Sequence, residues 1–294
     1  MKNQFEILVA IERLNRKLSQ RELVNETHLS LGTINTCINE LLKEELIDKD
    51  NRITEKGLLW LEKYRVKRAI FLAAGFGSRL VPITLNTPKP LVKVNGKRII
   101  ETLLDAVVAA GIPEIILVTG YLSDQFELLK SKYPMIQIVK NELYNEANNI
   151  SSAYCVKDQL ENAYVLESDL LLSNPNLIRK YEYNSNFLGI PVEVSDDWCI
   201  EVKNNIIIKE KIGGQNCHQL VGISYYTKED GQKLSKDLEE VFHSPGGKEY
   251  YWEQVQLCER KQNYKIYVRE CQKEDIVEID TFNELKQIDK AYDV

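Results

Sequence analysis

Residues 70–93 read Ile-Phe-Leu-Ala-Ala-Gly-Phe-Gly-Ser-Arg-Leu-Val-Pro-Ile-Thr-Leu-Asn-Thr-Pro-Lys-Pro-Leu-Val-Lys. An apolar run from Ala69 to Ala74 stops abruptly at Gly75-Phe76-Gly77. A strand that ends in small residues lets backbone N–H groups approach a phosphate closely, because no Cβ stands in the way. Arg79 follows Gly77 by two positions, and Lys89 sits in the Thr-Pro-Lys-Pro stretch beyond it. Both add fixed positive charge where a triphosphate would lie. The stretch reads as a loop that handles nucleotide phosphates.

The loop is neither Gly-x-Gly-x-x-Gly nor a P-loop, which needs Gly-x-x-x-x-Gly-Lys-Ser/Thr. The string Leu72-Ala73-Ala74-Gly75-x-Gly77-Ser78-Arg79-Leu80, with Pro82, Thr84 and Thr87-Pro88-Lys89-Pro90-Leu91, closely resembles the opening of the nucleotidyltransferase family. That resemblance implies transfer of a nucleotidyl group from an NTP to a phosphate monoester.

The chain has 294 residues, enough for one large and one small domain, and its formal net charge is −6. That balance offers no global attraction to nucleic acid or to an anionic membrane. No apolar run approaches the length that spans a bilayer, and the start, Met1-Lys2-Asn3-Gln4-Phe5-Glu6, lacks the layout of a signal peptide. Cysteines 37, 155, 199, 217, 258 and 271 are scattered without a Cys-x-x-Cys pair. They read as free thiols of a cytoplasmic protein.

Residues 1–65 are expected to form a small domain of helices. Phe5, Ile7, Leu8, Ile11 and Leu14 fall at helical spacing, and Ser19 with Glu22 makes a capping box for a second helix. Ser30 opens a third, with Leu31, Ile34, Ile38, Leu41 and Leu42 on its apolar side. A short hairpin through Leu46-Ile47 and Ile53-Thr54 precedes a last helix from Glu55 to Tyr64. The order resembles a winged-helix domain. Its presumed recognition helix offers Thr33, Asn35, Thr36 and Asn39 to base edges. The segment carries eleven Lys plus Arg and eleven Asp plus Glu, so DNA binding is expected only from a homodimer, and a docking role is the alternative.

Residues 66–294 alternate strands and helices, which predicts an α/β domain with a Rossmann-like mixed sheet. Strands are expected at 68–73, 114–119, 137–140 and 163–166, and helices at 100–110 and 122–132. Beyond residue 186 the expectation is short strands (187–194, 200–203, 206–211, 221–226, 264–269) and helices at 228–241, 250–260 and 282–292. Ligands in open parallel sheets sit beyond the carboxyl ends of strands. Gly75, Gly120 and Asp169 all follow such ends and should converge on one site.

Nucleotidyl transfer requires charge neutralisation at the phosphates and in-line positioning. Arg79 and Lys89 are the expected catalytic cations. Asp169 ends the apolar run Tyr164–Leu166 plus Glu167-Ser168, and Asp280 ends another, Ile276–Ile279. The family resemblance implies that these two aspartates hold Mg²⁺. The family usually has Asp-x-Asp where this chain has Glu167-Ser168-Asp169, so Glu167 is read as a supporting group. Asp280 could also cap the helix that follows it. Nucleotide contacts are expected from Ala73, Ala74, Gly75, Gly77, Gly120, Tyr121, Asn148, Asn149 and Ser152, although residues 148–152 would equally cap a helix.

Within the family, the later motifs are similar to those of bacterial cytidylyltransferases that use CTP and phosphocholine. They include Asp197-Trp198, Tyr250-Tyr251-Trp252-Glu253 and Glu278-Ile279-Asp280. A quaternary ammonium donates no hydrogen bonds and is held by aromatic faces and a nearby carboxylate. Trp198, Tyr251, Trp252 and Glu253 are the expected choline cage. Phosphoethanolamine, 2-aminoethylphosphonate and sugar 1-phosphates are competing acceptors. A transcription regulator that senses a nucleotide or choline metabolite is the competing reading from another class.

Overall fold

The computed structural model describes residues 1–293, which divide into two compact units. The first comprises Met1–Arg65 together with Tyr181–Tyr183; the second comprises Val66–Lys180 and Asn184 onward.

The first unit holds helices α1 (Lys2–Leu14), α2 (Gln20–Thr27), α3 (Leu31–Lys43) and α4 (Glu55–Leu61). Ser19 and Glu22 close the expected capping box of α2, and Ser30 Oγ accepts from Thr33 N at the start of α3. Phe5, Leu8 and Ile11 of α1 pack with Leu23, Ile34, Ile38 and Leu41 in one core. Tyr181 belongs to the same core, and Tyr64 stacks on Tyr183 at 5.1 Å. Leu31 was placed on the apolar side of α3 by spacing, but it is 52% exposed. It occupies the first helical position, ahead of the buried face that begins at Ile34. The wing is reduced to one antiparallel bridge, Ile47–Ile53, and α4 gives way to a 3₁₀ turn at Glu62–Tyr64.

The second unit begins with β1 (Arg68–Ala73), the small hairpin β2 (Lys93–Val94) and β3 (Lys97–Arg98), and α5 (Ile99–Ala109). Strands β4 (Glu114–Thr119) and β5 (Ile136–Lys140), helix α6 (Ile150–Cys155), and strands β6 (Ala163–Glu167) and β7 (Leu170–Leu172) follow. Then come β8 (Asn186–Lys203), β9 (Ile206–Tyr226), α7 (Lys228–Phe242), the short α8 (Trp252–Gln254), β10 (Tyr267–Glu270), β11 (Ile276–Glu278) and α9 (Phe282–Ile288). Seven strands make a mixed sheet in the order β10-β8-β9-β6-β1-β4-β5. β1 is parallel to β4 and β6, and β9 is antiparallel to β6. Two apolar layers, one on each side of Ile70 and Phe71, fix this sheet between its flanking helices. β7 and β11 pair separately.

Three expected elements differ. Residues 122–132, read as an α-helix, form a 3₁₀ helix at Ser123–Ser131, where Phe126 and Leu129, three apart, are the buried pair. The expected helix 250–260 is one α turn followed by a π turn at Val255–Glu259. The four short strands between 187 and 226 are two long ones. The ladder shifts register between Ser195 and Trp198 rather than ending there. Asp196-Asp197 and Gly213 lie at this shift, a bulge within a continuous hairpin. Among the described residues no helix is long and apolar enough to cross a membrane.

Candidate active site

β1 delivers its carboxyl end to Ala73-Ala74-Gly75, and the chain then turns through Gly77 at φ +62°. A Cβ on Gly77 would lie 2.8 Å from Lys89 Cβ and 3.1 Å from Thr84 Cγ2. Glycine therefore serves both the conformation and the close approach of the Lys89 segment. Thr84 Oγ1 donates to Gly77 O at 2.8 Å and closes the loop.

Lys89 is only 7% exposed. Its Nζ donates to Asp169 Oδ2 at 2.7 Å and to Asp280 Oδ1 at 2.9 Å. Arg79 Nη2 also donates to Asp280 Oδ1, at 2.6 Å, from a largely exposed side chain. Burial disfavours the Lys89 charge, but Asp169 and Asp280 outweigh it and raise its pKa. Burial likewise works against the Asp280 charge, and Lys89 and Arg79 more than offset it, so its pKa is lowered. Thr281, not Asp280, caps α9, which leaves the Asp280 carboxylate to the cluster.

Asp169 shares this corner with Glu167 and Glu278, and one carboxylate oxygen from each lies within 4.8 Å of the others. Glu167 is held well above the usual carboxylate range by burial first, then by Asp169 and Glu253. Glu278 is pushed up to about 9 by burial and then by Asp169, Glu167 and Asp280. Asp169 Oδ1 is buried without a hydrogen-bond partner. An all-oxygen set with crowded carboxylates and an orphaned buried oxygen matches what a hard divalent cation such as Mg²⁺ needs. Glu278 was not among the expected site residues, and Glu167 was read as a supporting group. The signal was there: Glu167-Ser168-Asp169 and Glu278-Ile279-Asp280 repeat one Glu-x-Asp pattern at two strand ends, and residues two apart on a strand share a face.

These groups line one cleft of about 660 Å³. Ala73, Ala74, Gly75, Gly77, Asn148, Asn149 and Ser152 line it as well. Their side chains are largely engaged: Asn149 Oδ1 accepts from Trp252 N at 2.8 Å, and Asn148 Nδ2 donates to Glu249 O at 3.1 Å. Ser152 Oγ accepts from Asn141 Nδ2 at 3.1 Å. Gly120 and Tyr121 are not among the lining residues. Tyr121 braces the loop from behind, its N donating to Ala74 O and its hydroxyl to Thr84 O and Leu85 O. Asn141, Phe76 and Tyr144 line the cleft and were not anticipated, although Asn141 follows β5 just as Gly120 follows β4.

At the far rim the hairpin bulge presents Asp197 and Trp198 to the cleft, and the Trp198 and Tyr251 rings meet edge-on at 5.5 Å. Trp252 also lines the cleft, from a buried position stacked on Phe187 at 6.0 Å. Glu253 lines the cleft from a buried position, its Oε2 lacks a partner, and burial with Glu210 and Glu278 nearby pushes it up to about 8.

Residues 68–186 match the nucleotidyl transferase family model, and residues 2–48 match the winged helix-turn-helix DNA-binding model. The chain is 32% identical over 228 residues to the 2-aminoethylphosphonate cytidylyltransferase of Lancefieldella rimae, across 76% of this chain and 92% of that protein. It is also 32% identical over 225 residues to the choline-phosphate cytidylyltransferase of Streptococcus pneumoniae, across 76% of this chain and 97% of that one. The chain belongs to the nucleotidyltransferase family. A solved structure of the CTP:phosphocholine cytidylyltransferase from Streptococcus pneumoniae superposes with a TM-score of 0.72 at 30% identity, covering 77% of this chain and 99% of that one. As a nucleotidyltransferase the protein is an enzyme.

Gly222 of β9 faces Glu167, and a Cβ there would fall 2.4 Å from Glu167 Oε2. Gly222→Ala must displace that carboxylate. Titration calorimetry with MnCl₂ is expected to show affinity reduced by about tenfold or more, since groups that orient metal ligands carry effects of that size. Unchanged affinity would remove Glu167 from the cation site.

Proposed function

We propose that this enzyme transfers CMP from CTP to phosphocholine, giving CDP-choline and pyrophosphate. The observation that carries the reading is the single cleft that joins the Lys89–Asp169–Asp280 cluster to an aromatic and acidic rim of Trp198, Tyr251 and Asp197. A phosphate oxygen of the acceptor attacks the α-phosphorus, and the bond to the β-phosphate oxygen breaks. The acceptor is already anionic near neutral pH, so no general base is required. Lys89 and Arg79 hold the triphosphate and the incoming phosphate in line. Asp169 and Asp280 would hold Mg²⁺ with Glu167 and Glu278 beside them; the ion would neutralise charge on the α- and β-phosphate oxygens. The enzyme is proposed to work in the cytoplasm.

The rim suits a trimethylammonium group, which needs ring faces and a carboxylate and offers no hydrogen. Asp197 is fixed for this by Gln219 Nε2, 2.9 Å from its Oδ2. The second reading, 2-aminoethylphosphonate as acceptor, is favoured by the unpartnered Glu253 Oε2, which would accept from a primary ammonium, and by the likeness to the Lancefieldella rimae enzyme. Pyrophosphate release with four NTPs against phosphocholine, phosphoethanolamine, 2-aminoethylphosphonate and sugar 1-phosphates separates the readings. CTP with phosphocholine should be fastest, and Trp198→Ala should raise the phosphocholine KM by about tenfold, the worth of one desolvated cation–π contact, with the CTP KM little changed. A preference for a sugar 1-phosphate with UTP or TTP contradicts the proposal.

The first unit is proposed to bind DNA as a homodimer. Asn35, Thr36 and Asn39 of α3 are exposed, but the unit is electrically neutral and one copy cannot neutralise enough phosphates. Across a salt series, binding of the full chain to its own upstream DNA should require the dimer. A tight, salt-steep complex of the monomer would contradict this.

A further inference from the structure

We infer that Tyr144, with Phe76 leaning on it, sets the width of the base subsite and restricts the donor nucleotide to pyrimidines. The inference rests on the CTP reading above. The acids and Lys89 mark the phosphate end of the cleft, and Trp198 with Tyr251 marks the acceptor end. The remaining region lies where the neighbouring parallel strands β1, β4 and β5 end. Of the lining residues carried by these strand ends and the loops after them, Ala73, Ala74, Asn141 and Ser151 are small or polar, and Tyr144 and Phe76 are the bulky ones.

The Tyr144 ring cannot retreat. It rests on the bare backbone of Gly120, where a Cβ would lie 2.6 Å from both Tyr144 Cβ and Cγ and 2.9 Å from Ala74 O. The Phe76 ring stands 5.4 Å from the Tyr144 ring and 5.2 Å from the Tyr121 ring. The turn that carries Tyr144 is tied down as well. Leu143 N donates to Asn141 Oδ1 at 2.9 Å, and Asn141 Nδ2 donates to Ser151 and Ser152 at 2.8 and 3.1 Å. Glu146 N and Ala147 N both donate to Leu143 O. Asn141 thus spends its side chain on positioning this wall. Phe76 is 46% exposed on the phosphate loop, an apolar face left to a planar ligand. A fixed wall of this kind discriminates by size: a six-membered ring is admitted and the second ring of a purine meets Tyr144. It treats cytosine and uracil alike.

The test is kcat/KM for CTP, UTP, ATP and GTP, each with the acceptor that the wild-type enzyme turns over fastest. Tyr144→Ala should raise the purine-to-CTP ratio by about tenfold or more while the UTP-to-CTP ratio stays within about threefold, the signature of steric rather than hydrogen-bond selection. Tyr144→Phe, which keeps the ring, should keep the wild-type ratios. Phe76→Ala should move the purine ratio in the same direction by less. A Tyr144→Ala enzyme that still uses CTP with its purine ratio unchanged overturns the inference. If Tyr144→Ala is inactive with every nucleotide, the Phe76→Ala ratio decides by the same criterion. A wild-type enzyme that prefers ATP or GTP overturns instead the CTP reading on which the inference stands.

Discussion

A buried ammonium is unfavourable unless opposite charges surround it, and the second unit of this enzyme is organised around one. Lys89 carries its charge inside the protein because Asp169 and Asp280 reach it from segments far apart in sequence. Removing one partner from a buried pair typically costs about 3–5 kcal/mol, because the other charge is stranded. The three residues are therefore obliged to stay together, and each brings its own segment with it. Lys89 brings the loop after β1, Asp169 the end of β6, and Asp280 the start of α9.

The surrounding backbone shows what that obligation requires. Gly77 is bare so that Lys89 can pass. β7 and β11 pair with Glu278 opposite Leu170, and Ile279 N donates to Asp169 O at 3.3 Å, so the two Glu-x-Asp segments are held in register by main chain. Gly222 leaves room for Glu167. The result gathers more carboxyl groups than Lys89 and Arg79 can neutralise, and burial first, then the neighbouring acids, raises Glu167 and Glu278. In the function proposed here a divalent cation and the phosphates of a nucleotide would complete the balance, the ion answering the carboxylates and the two basic side chains the phosphates. The same corner thus serves the stability of the fold and the chemistry proposed for it.

Much of this was legible in the sequence because strand ends announce themselves. Apolar runs that stop at Gly75, Asp169 and Asp280 located the loop and both aspartates, and the capping residues Ser19 and Ser30 located two helices of the first unit. What stayed hidden depended on packing between distant segments. Trp252 and Trp198 look alike as cage candidates and both line the cleft, yet Trp252 is buried against Phe187 while the β8 bulge brings Trp198 in from the hairpin. Gly120 reads in sequence as a base or ribose contact; that its missing Cβ also makes room for Tyr144, a residue with no local motif, shows only in the fold. The hairpin read as four short strands because bulge residues such as Asp196-Asp197 and Gly213 have the composition of turns. Tyr181 and Tyr183 gave no sign of joining the core of the first unit, since nothing near them in sequence belongs to it.

The central claim is that this cleft moves the α-phosphoryl unit of a cytidine nucleotide onto a choline-bearing phosphate. CTP labelled with ³³P at the α-position and ³²P at the γ-position follows both halves at once. With phosphocholine present, the α-label should appear in a choline-containing product and the γ-label in pyrophosphate, in equal amounts. Release of the α-label as free CMP would make the protein a hydrolase, and appearance of the γ-label on the acceptor would make it a kinase; either result contradicts the account.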